Sequence, residues 1–562
     1  MSTSGYTTGN SNQIHQTSVL KLHQASRIYT RTELAAGLLD AIGWRQDRVL
    51  AGQRLLEPAA GNGVFLRLAG ERLIASLRRH NHPVTIPALE GAVTGYEIYP
   101  QACQEARLAV AEVLIEGGLT TSGARRVAAT WIREGDFLTA DDLGTFTHVV
   151  GNPPYVRWSN VPNALRRRYS RFLPEAMQKG DLCVPFFYRS VAHLRPGGML
   201  AFVCSDRWLR ADYGVGLRDY LSANVKTVAY IELHDLPAFD RNVHAYAAVT
   251  ILNRADNSVR GGSIRTLFAQ PTTLTELDKC LGRVAYGSCK SPMIAVEEPL
   301  GCRPAIMLRD QSKVRVVRKL EAEMPTIEES GCSIRVGAAL GHTPAFVIEH
   351  CESGIEPELL LPYATSRDLQ NGHVSTARWV INLFDEQGHL TDLKRYPGAR
   401  EHLLQFKVKL LRRSCVRRPE QWYRTIDKIS RRFAASPKIL ICGIAKAPRL
   451  ALVKQIVQPG NSLYSITSSE WPLAAVSNVL SSGVLGLFAD AFSCRVNGAF
   501  LRFHGVVLRK LRLPMWTSVP REIQQCLTAP DSQSTLLEAA SELYRTPKAL
   551  FEEYATPKTS AG

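Results

Sequence analysis

The stretch Thr147-His148-Val149-Val150-Gly151-Asn152-Pro153-Pro154-Tyr155 constrains this chain more than any other. Val149 and Val150 give it the β-branched, apolar character of a short buried strand. Asn152-Pro153-Pro154 then stops that strand, because each proline fixes its own φ and drives the residue before it into an extended conformation. A loop stiffened in this way can hold an Asn carboxamide, a Pro carbonyl and a Tyr ring in one geometry. That set suits a flat, amino-substituted ring, with two acceptors for an NH2 group and a face to stack on. Taken alone, the stretch is equally a proline turn after a strand, so the residues upstream must decide.

Upstream, an apolar strand ends at Glu57. The loop Pro58-Ala59-Ala60-Gly61-Asn62-Gly63 follows, and then an amphipathic run through Ala75. Strand, glycine loop and helix in this order form a nucleotide-binding α/β unit. The spacing is not GxGxxG, and Glu57 would repel a pyrophosphate. A carboxylate there suits a ligand with an ammonium group, such as S-adenosylmethionine, although an ordinary turn between strand and helix also fits the loop by itself. A second strand, Val93 to Glu97, ends in an acid where ribose hydroxyls are read in such folds. The third ends near Asp136, which could accept from an adenine amino group with Phe137 against the ring. The fourth is Thr145 to Val150. Later strands are expected at Gly197 to Val203, Val228 to Leu233 and Ala245 to Leu252. Helical spacing predicts helices from Leu34 to Ile42, capped by Thr30 or Thr32 and ended by Gly43, and from Cys103 to Leu114. Strands alternating with helices, with polar residues at successive carboxyl ends, predict a doubly wound, Rossmann-like α/β sheet.

The ordered set Tyr29-Thr30, Leu56 to Gly63, Gly95-Tyr96-Glu97, Gly135-Asp136-Phe137-Leu138 and Asn152 to Tyr155 stands ahead of a large C-terminal region. It resembles the gamma-class N6-adenine DNA methyltransferases, the TaqI-type enzymes of bacterial restriction-modification systems. The similarity runs through roughly residues 25–255. Phe202 to Leu209 and Phe239 to Ala248 fit later motifs of that family. Tyr99 stands where the family often has an Asp, and the loop around Phe239 is a residue shorter than in some members. The resemblance implies a cofactor site for S-adenosylmethionine lined by Thr30, Glu57, Ala59, Gly61, Gly63, Glu97, Ile98, Asp136 and Phe137. It implies methyl transfer to adenine N6, with Asn152 Oδ1 and the Pro153 carbonyl accepting from the amine. Tyr155 would stack on a base flipped out of the duplex, and Phe239 would form a second wall. Asn-Pro-Pro-Tyr also occurs in methyltransferases of ribosomal RNA and of a glutamine side chain in release factors. A basic C-terminal half disfavours the protein substrate and leaves RNA as the alternative.

A chain of 562 residues predicts two or three domains. We expect a flexible tail at 1–24, a catalytic domain at 25–255, and a mixed α+β target-recognition domain at 256–562, entered through the polar, glycine-paired run at 256–263. The net charge of +17 points to a polyanion, and double-stranded DNA is the expected partner. Between Lys394 and Lys454 there are 17 Lys+Arg against 3 Asp+Glu, a surplus of 17 − 3 = 14. Trp422 and Tyr423 sit among these charges as expected stacking faces. Arg166, Arg167, Arg168 and Arg171, just after the proline loop, are further phosphate ligands to test. The twelve Cys are scattered without a CxxC pair, which predicts reduced thiols. No His or Cys spacing predicts a metal site. No signal peptide is read and no uninterrupted apolar run approaches a bilayer span, so no membrane partner is expected. The expected setting is a bacterial or archaeal cytoplasm, as a monomer, with a separate cognate restriction endonuclease acting on the same site.

Overall fold

The computed structural model describes residues 17–22, 28–233, 236–240, 247–254, 266–287, 290–296, 310–349, 354–493 and 500–555. Most of the expected tail and the Gly261-Gly262 pair lie outside the described residues. The chain divides into two compact units, residues 1–309 and 310–562, so the division falls beyond the junction expected at 255/256.

In the first unit, α1 (Thr32–Ala41) precedes β1 (Leu55–Glu57) and α2 (Val64–Arg79). Next come β2 (Val93–Glu97), α3 (Pro100–Glu116), α4 (Thr121–Trp131), β3 (Ile132–Glu134) and β4 (Phe146–Gly151). The order continues with α5 (Asn163–Tyr169), α6 (Cys183–Ala192), β5 (Leu194–Ser205), α7 (Val215–Asn224), β6 (Val225–Glu232) and β7 (Ala247–Arg254). It closes with β8 (Thr266–Ala269), α8 (Leu274–Tyr286) and β9 (Ile294–Val296). These strands form one nine-stranded sheet in the order β3-β2-β1-β4-β5-β7-β6-β8-β9. β1 to β5 run parallel, whereas β7 lies antiparallel between β5 and β6. β8 pairs parallel with β6, so the sheet continues past the expected domain junction.

Side chains alternate along each strand between two cores. Leu55, Val150, Ala201, Val203 and Ile231 join the core under α1 to α4 and α8. Leu56, Val149, Leu200, Phe202 and Tyr230 join the core under α5 to α7. This period of two, buried on both faces, is what a parallel sheet covered by helices requires. Local chemistry sets the helix starts. Pro100 opens α3 where its missing N–H costs nothing, and Thr120 caps α4 by accepting from the Gly123 N–H. The start of α1 differs from expectation. Arg31, whose side chain makes no capping bond to the helix, is its N-cap. Thr30 instead bridges to Phe239 in an antiparallel pairing.

The second unit contains two four-stranded sheets. Cys332–Val336, Leu463–Ser468, Lys438–Cys442 and Leu450–Val453 form an antiparallel sheet in that order. Val347–Ile348, Arg378–Ile381, Leu360–Ala364 and Gln458–Pro459 form the other. The helical run Leu473–Phe492 is long and apolar enough, by length and composition, to cross a membrane, a feature missed in the sequence. It is mostly buried within the protein.

The basic stretch is less of a surface than its composition suggests. Trp422 is buried in a core with Ile381, Leu403 and Leu410. Tyr423 donates its hydroxyl to the Thr391 carbonyl at 2.9 Å. Trp422 therefore does not stand free as a stacking face, and Tyr423 is partly buried against the same core. Lys438 is fully buried, donates to the Ala434 carbonyl at 2.9 Å, and has its pKa pulled down to about 8 by burial. Arg413 donates to the carbonyls of Leu410, Leu340, Trp422 and Arg424 at 2.7–3.0 Å, clipping three segments together. Arg412, Arg417, Arg418, Arg431 and Arg432 remain exposed.

Arg413→Ala should therefore cost about 2–4 kcal/mol of stability, because several inward carbonyls lose a charged donor. Arg412→Ala, next in sequence but exposed, should stay within about 0.5 kcal/mol. Thermal denaturation of the two variants checks this, and equal melting points would refute the clip.

Candidate cofactor and target-base site

Parallel register brings the strand ends into line. Glu57 lies opposite Gly95, Leu56 opposite Val149, and Glu97 opposite Glu134. The residues that follow each strand therefore open into one cavity. Its lining includes Thr30, Glu57, Ala59, Gly61, Glu97, Ile98, Asp136, Phe137 and Asn152. Counted out to its open mouth, the space, solvent included, is about 820 Å³.

Three carboxyl groups meet there. Glu97 is buried and accepts from the Gly61 N–H at 2.8 Å and the Tyr99 N–H at 2.9 Å. Burial nevertheless raises its pKa to about 7, with the Asp136 charge adding to the rise. Glu57 is 1 % exposed, and its Oε2 meets no hydrogen-bond donor among the described residues. Burial, reinforced by the nearby Glu97, holds its pKa well above the usual carboxylate range. Asp136 accepts from the Leu138 N–H at 3.0 Å and is hydrogen-bonded to the Tyr169 hydroxyl. Gly61 takes φ 54°, and a Cβ there would lie 3.3 Å from the Tyr29 ring. A side chain at 61 would thus be strained as well as crowded.

Asn152 is fixed from one side only. Its Nδ2 donates to the Ile28 carbonyl at 3.1 Å and to Thr30 Oγ1 at 3.1 Å. A carbonyl can only accept, so the amide nitrogen must face it. Oδ1 is then turned the other way, buried and without a donor among the described residues.

Gly63, Pro153, Tyr155 and Phe239 are not in the cavity lining. Gly63 starts α2 at φ 81°, and a Cβ there would come within 2.9 Å of the Ala106 side chain. Its glycine follows from backbone conformation and the packing of α2 on α3. Tyr155 and Phe239 touch edge to face, with ring centroids 6.0 Å apart and planes 79° apart. The Tyr155 hydroxyl is buried without a partner among the described residues. Phe239 belongs to a strap paired with the entry segment. Arg31 Nε donates to the Phe239 carbonyl at 3.1 Å, and the Asp240 N–H donates to the Tyr29 carbonyl at 3.1 Å. Sequence reasoning missed the roles of Ile28 and Tyr169. Ile28 acts through its backbone carbonyl, which carries no side-chain signature. Tyr169 sits beside Arg166 to Arg168, which drew the reading to charge.

Residues 93–239 match the Eco57I restriction-modification methylase family. The chain is 34% identical over 508 residues to the type II methyltransferase M.XhoI of Xanthomonas vasicola, covering 89% of this chain and 93% of that one. This chain belongs to the type II restriction-modification DNA methyltransferases. It is also 34% identical over 511 residues to the type II methyltransferase M.PaeR7I of Pseudomonas aeruginosa, covering 90% of this chain and 88% of that one. Among solved structures, the type IIL restriction-modification enzyme MmeI, in complex with DNA, shares the fold. The TM-score is 0.58 at 16% identity, over 96% of this chain and 76% of that one.

S-adenosylmethionine is accordingly the cofactor of this methyltransferase. The cavity fits it on its own chemistry, because the buried Glu57 carboxyl, whose Oε2 meets no donor among the described residues, suits a cationic ligand. Placing the ammonium at Glu57 and the ribose hydroxyls at Glu97 predicts proton release on binding. In the free protein Glu97 is half protonated near pH 7, and a cation or hydroxyl donor favours the carboxylate. Titration of Glu97 should therefore lower affinity as pH drops from about 8 to 6, that group contributing at most about tenfold per pH unit. Calorimetry in buffers of different ionisation enthalpy measures the proton count. Glu97→Gln should flatten the pH dependence and weaken binding by about 1–3 kcal/mol.

Proposed function

We propose that this enzyme methylates the exocyclic N6 of adenine in double-stranded DNA, on a base turned out of the helix. The observation that carries this reading is Asn152 Oδ1, a buried acceptor fixed at the cavity with no donor among the described residues. It calls for a substrate that brings an N–H, as an exocyclic amine does. The order of motifs supports adenine, through the resemblance to the gamma-class enzymes.

The adenine amine is a poor nucleophile because its lone pair is delocalised into the ring. On this reading Asn152 Oδ1 and the Pro153 carbonyl accept its two N–H bonds, which favours a pyramidal nitrogen and a localised lone pair. When bound, S-adenosylmethionine supplies an electrophilic methyl carbon on a sulfonium. With its N–H groups held by Asn152 Oδ1 and the Pro153 carbonyl, the amine would need no base before attack, and the surplus proton of the methylated nitrogen would pass to solvent water. Tyr155 and Phe239 are close to perpendicular. A planar base can lie face-on to one of them in this arrangement. We assign that face to Tyr155, which follows the proline loop, and the edge contact to Phe239. An enclosed adenine in this position has left the duplex stack. Residues 310–562 are proposed to read the target, and a separate endonuclease cutting the same unmethylated site is the proposed partner.

Asn152→Ala should abolish methyl transfer while S-adenosylmethionine affinity changes less than about threefold, since the cofactor's polar ends are held elsewhere. Tritium transfer to duplex DNA and calorimetry check the two halves, and long-read sequencing of DNA from expressing cells identifies the modified base. Substantial turnover by the variant would sink the assignment.

A second expectation concerns the exposed arginines. Charge reversal at Arg417 and Arg418 should weaken DNA binding on all sequences alike and flatten the log K against log salt slope by about 0.9 for each phosphate left unneutralised. Fluorescence anisotropy across a salt series reads this directly, and an unchanged slope would mean that this face does not meet DNA.

A further inference from the structure

A polar cluster that the proposed chemistry does not use lies at the carboxyl end of β5. Asp181 is 2 % exposed and accepts from Tyr213 Oη at 2.7 Å, Ser205 Oγ at 3.1 Å and Arg207 Nε at 3.0 Å. Its second oxygen accepts from Arg207 Nη2. The segment that carries it is laced onto the residues just after Tyr155. Asp181 bridges to Arg157, the Leu182 N–H donates to the Val156 carbonyl at 2.7 Å, and the Trp158 N–H donates to the Gly180 carbonyl at 2.7 Å. β5 neighbours β4, with Phe202 opposite Gly151. The acid thus ties the base-side loop to the end of the next strand. The Tyr155 hydroxyl lies within electrostatic reach of the same region, near Cys183, Cys204 and Asp206.

We propose that Arg207 contacts the DNA backbone beside the extruded nucleotide, held ready by Asp181. This inference rests on the base-extruding reading above. Two arginines on the same short turn show the distinction. Arg210 is 10 % exposed and its Nη atoms are taken by Asp206 and Glu232, which makes it part of the core. Arg207 is 33 % exposed at the side chain, against 2 % for its acid. Asp181 is also served by two hydroxyls, so Arg207 is not needed merely to satisfy it. A guanidinium has five donors in one plane. The bonds from Nε and Nη2 fix that plane, while Nη1 meets no acceptor among the described residues. An arginine fixed in this way loses little freedom on meeting a phosphate and presents a rigid edge to it. Its position outside the carboxyl ends of the strands is where open α/β sheets bind ligands. Asp181 is then a positioning residue, acting through Arg207.

The test uses the full chain and duplexes carrying the adenine located by sequencing. The phosphodiesters flanking that adenine are replaced one at a time by uncharged methylphosphonate. In the wild type, one linkage should be sensitive, with kcat/KM falling about tenfold to a hundredfold, the span for one charged hydrogen bond. Arg207→Gln should cause a similar loss on the unmodified duplex and then be indifferent to that linkage. Arg207→Lys should keep part of the wild-type sensitivity, and Asp181→Asn should lower kcat/KM for DNA while leaving S-adenosylmethionine affinity unchanged. Losses that multiply between Arg207→Gln and every methylphosphonate would overturn the contact. So would a wild type with no sensitive linkage, a result that does not depend on any variant folding. Product analysis of the wild-type reaction identifies the methylated base separately, so failure of the adenine reading is distinguishable from failure of the Arg207 contact.

Discussion

Burial of negative charge is the constraint on which the site depends. Glu57, Glu97 and Asp136 converge on one cavity because parallel pairing aligns the ends of β1, β2 and β3. Removing an unpaired carboxylate from water costs several kcal/mol, and three so close together add mutual repulsion. The protein relieves part of this with its own donors. Two backbone N–H groups serve Glu97, and the Leu138 N–H and Tyr169 hydroxyl serve Asp136. Glu57 receives the least, and the free protein holds it towards the neutral form. A cationic ligand restores what folding withheld.

Much of this was legible in the sequence where the chemistry is local to a loop. The Glu57 to Gly63 turn, the acid ending β2 and the proline loop each carry their geometry in consecutive residues, so spacing alone places them at strand ends. The amide clamp was not legible. Its acceptor is the carbonyl of Ile28, 124 residues from Asn152, and a backbone atom leaves no mark in composition. Thr30 reads equally as a helix cap or a cofactor residue, whereas its hydroxyl meets Asn152. Gly63 is placed with the cofactor by the family resemblance, and it is not in the cavity lining. Gly61 and Gly63 serve different needs, one the space beside Tyr29 and the other the approach of α2 to α3.

The later part of the chain was harder to read for a related reason. Net charge over a stretch says how many cations it has, not which way they face. Arg413 and Lys438 spend their donors on backbone carbonyls, and Trp422 packs into the core. A polar run with paired glycines after β7 looked like a linker. The sheet nevertheless resumes at β8, which pairs in parallel with β6. That pairing joins segments whose contact depends on the whole sheet being in place, and no local signal announces it.

The choice of asparagine at 152 can be argued from its two ends. An aspartate would set an anionic oxygen against the Ile28 carbonyl, and a serine is too short to span from that carbonyl to the cavity. A carboxamide separates donor from acceptor across one rigid plane. The entry segment uses the donor end, so the acceptor end belongs to whatever enters the site. A base without an N–H at that point would leave Oδ1 buried and unpaired, at a cost of about 1–3 kcal/mol. Discrimination by an unmet polar group is stronger than discrimination by shape alone. The same entry segment is paired with the strap that carries Phe239, so the fixed acceptor and one aromatic wall are referenced to a single short piece of chain. On the proposed reading, the base is therefore tested for its amine and for its ring by groups that cannot shift independently.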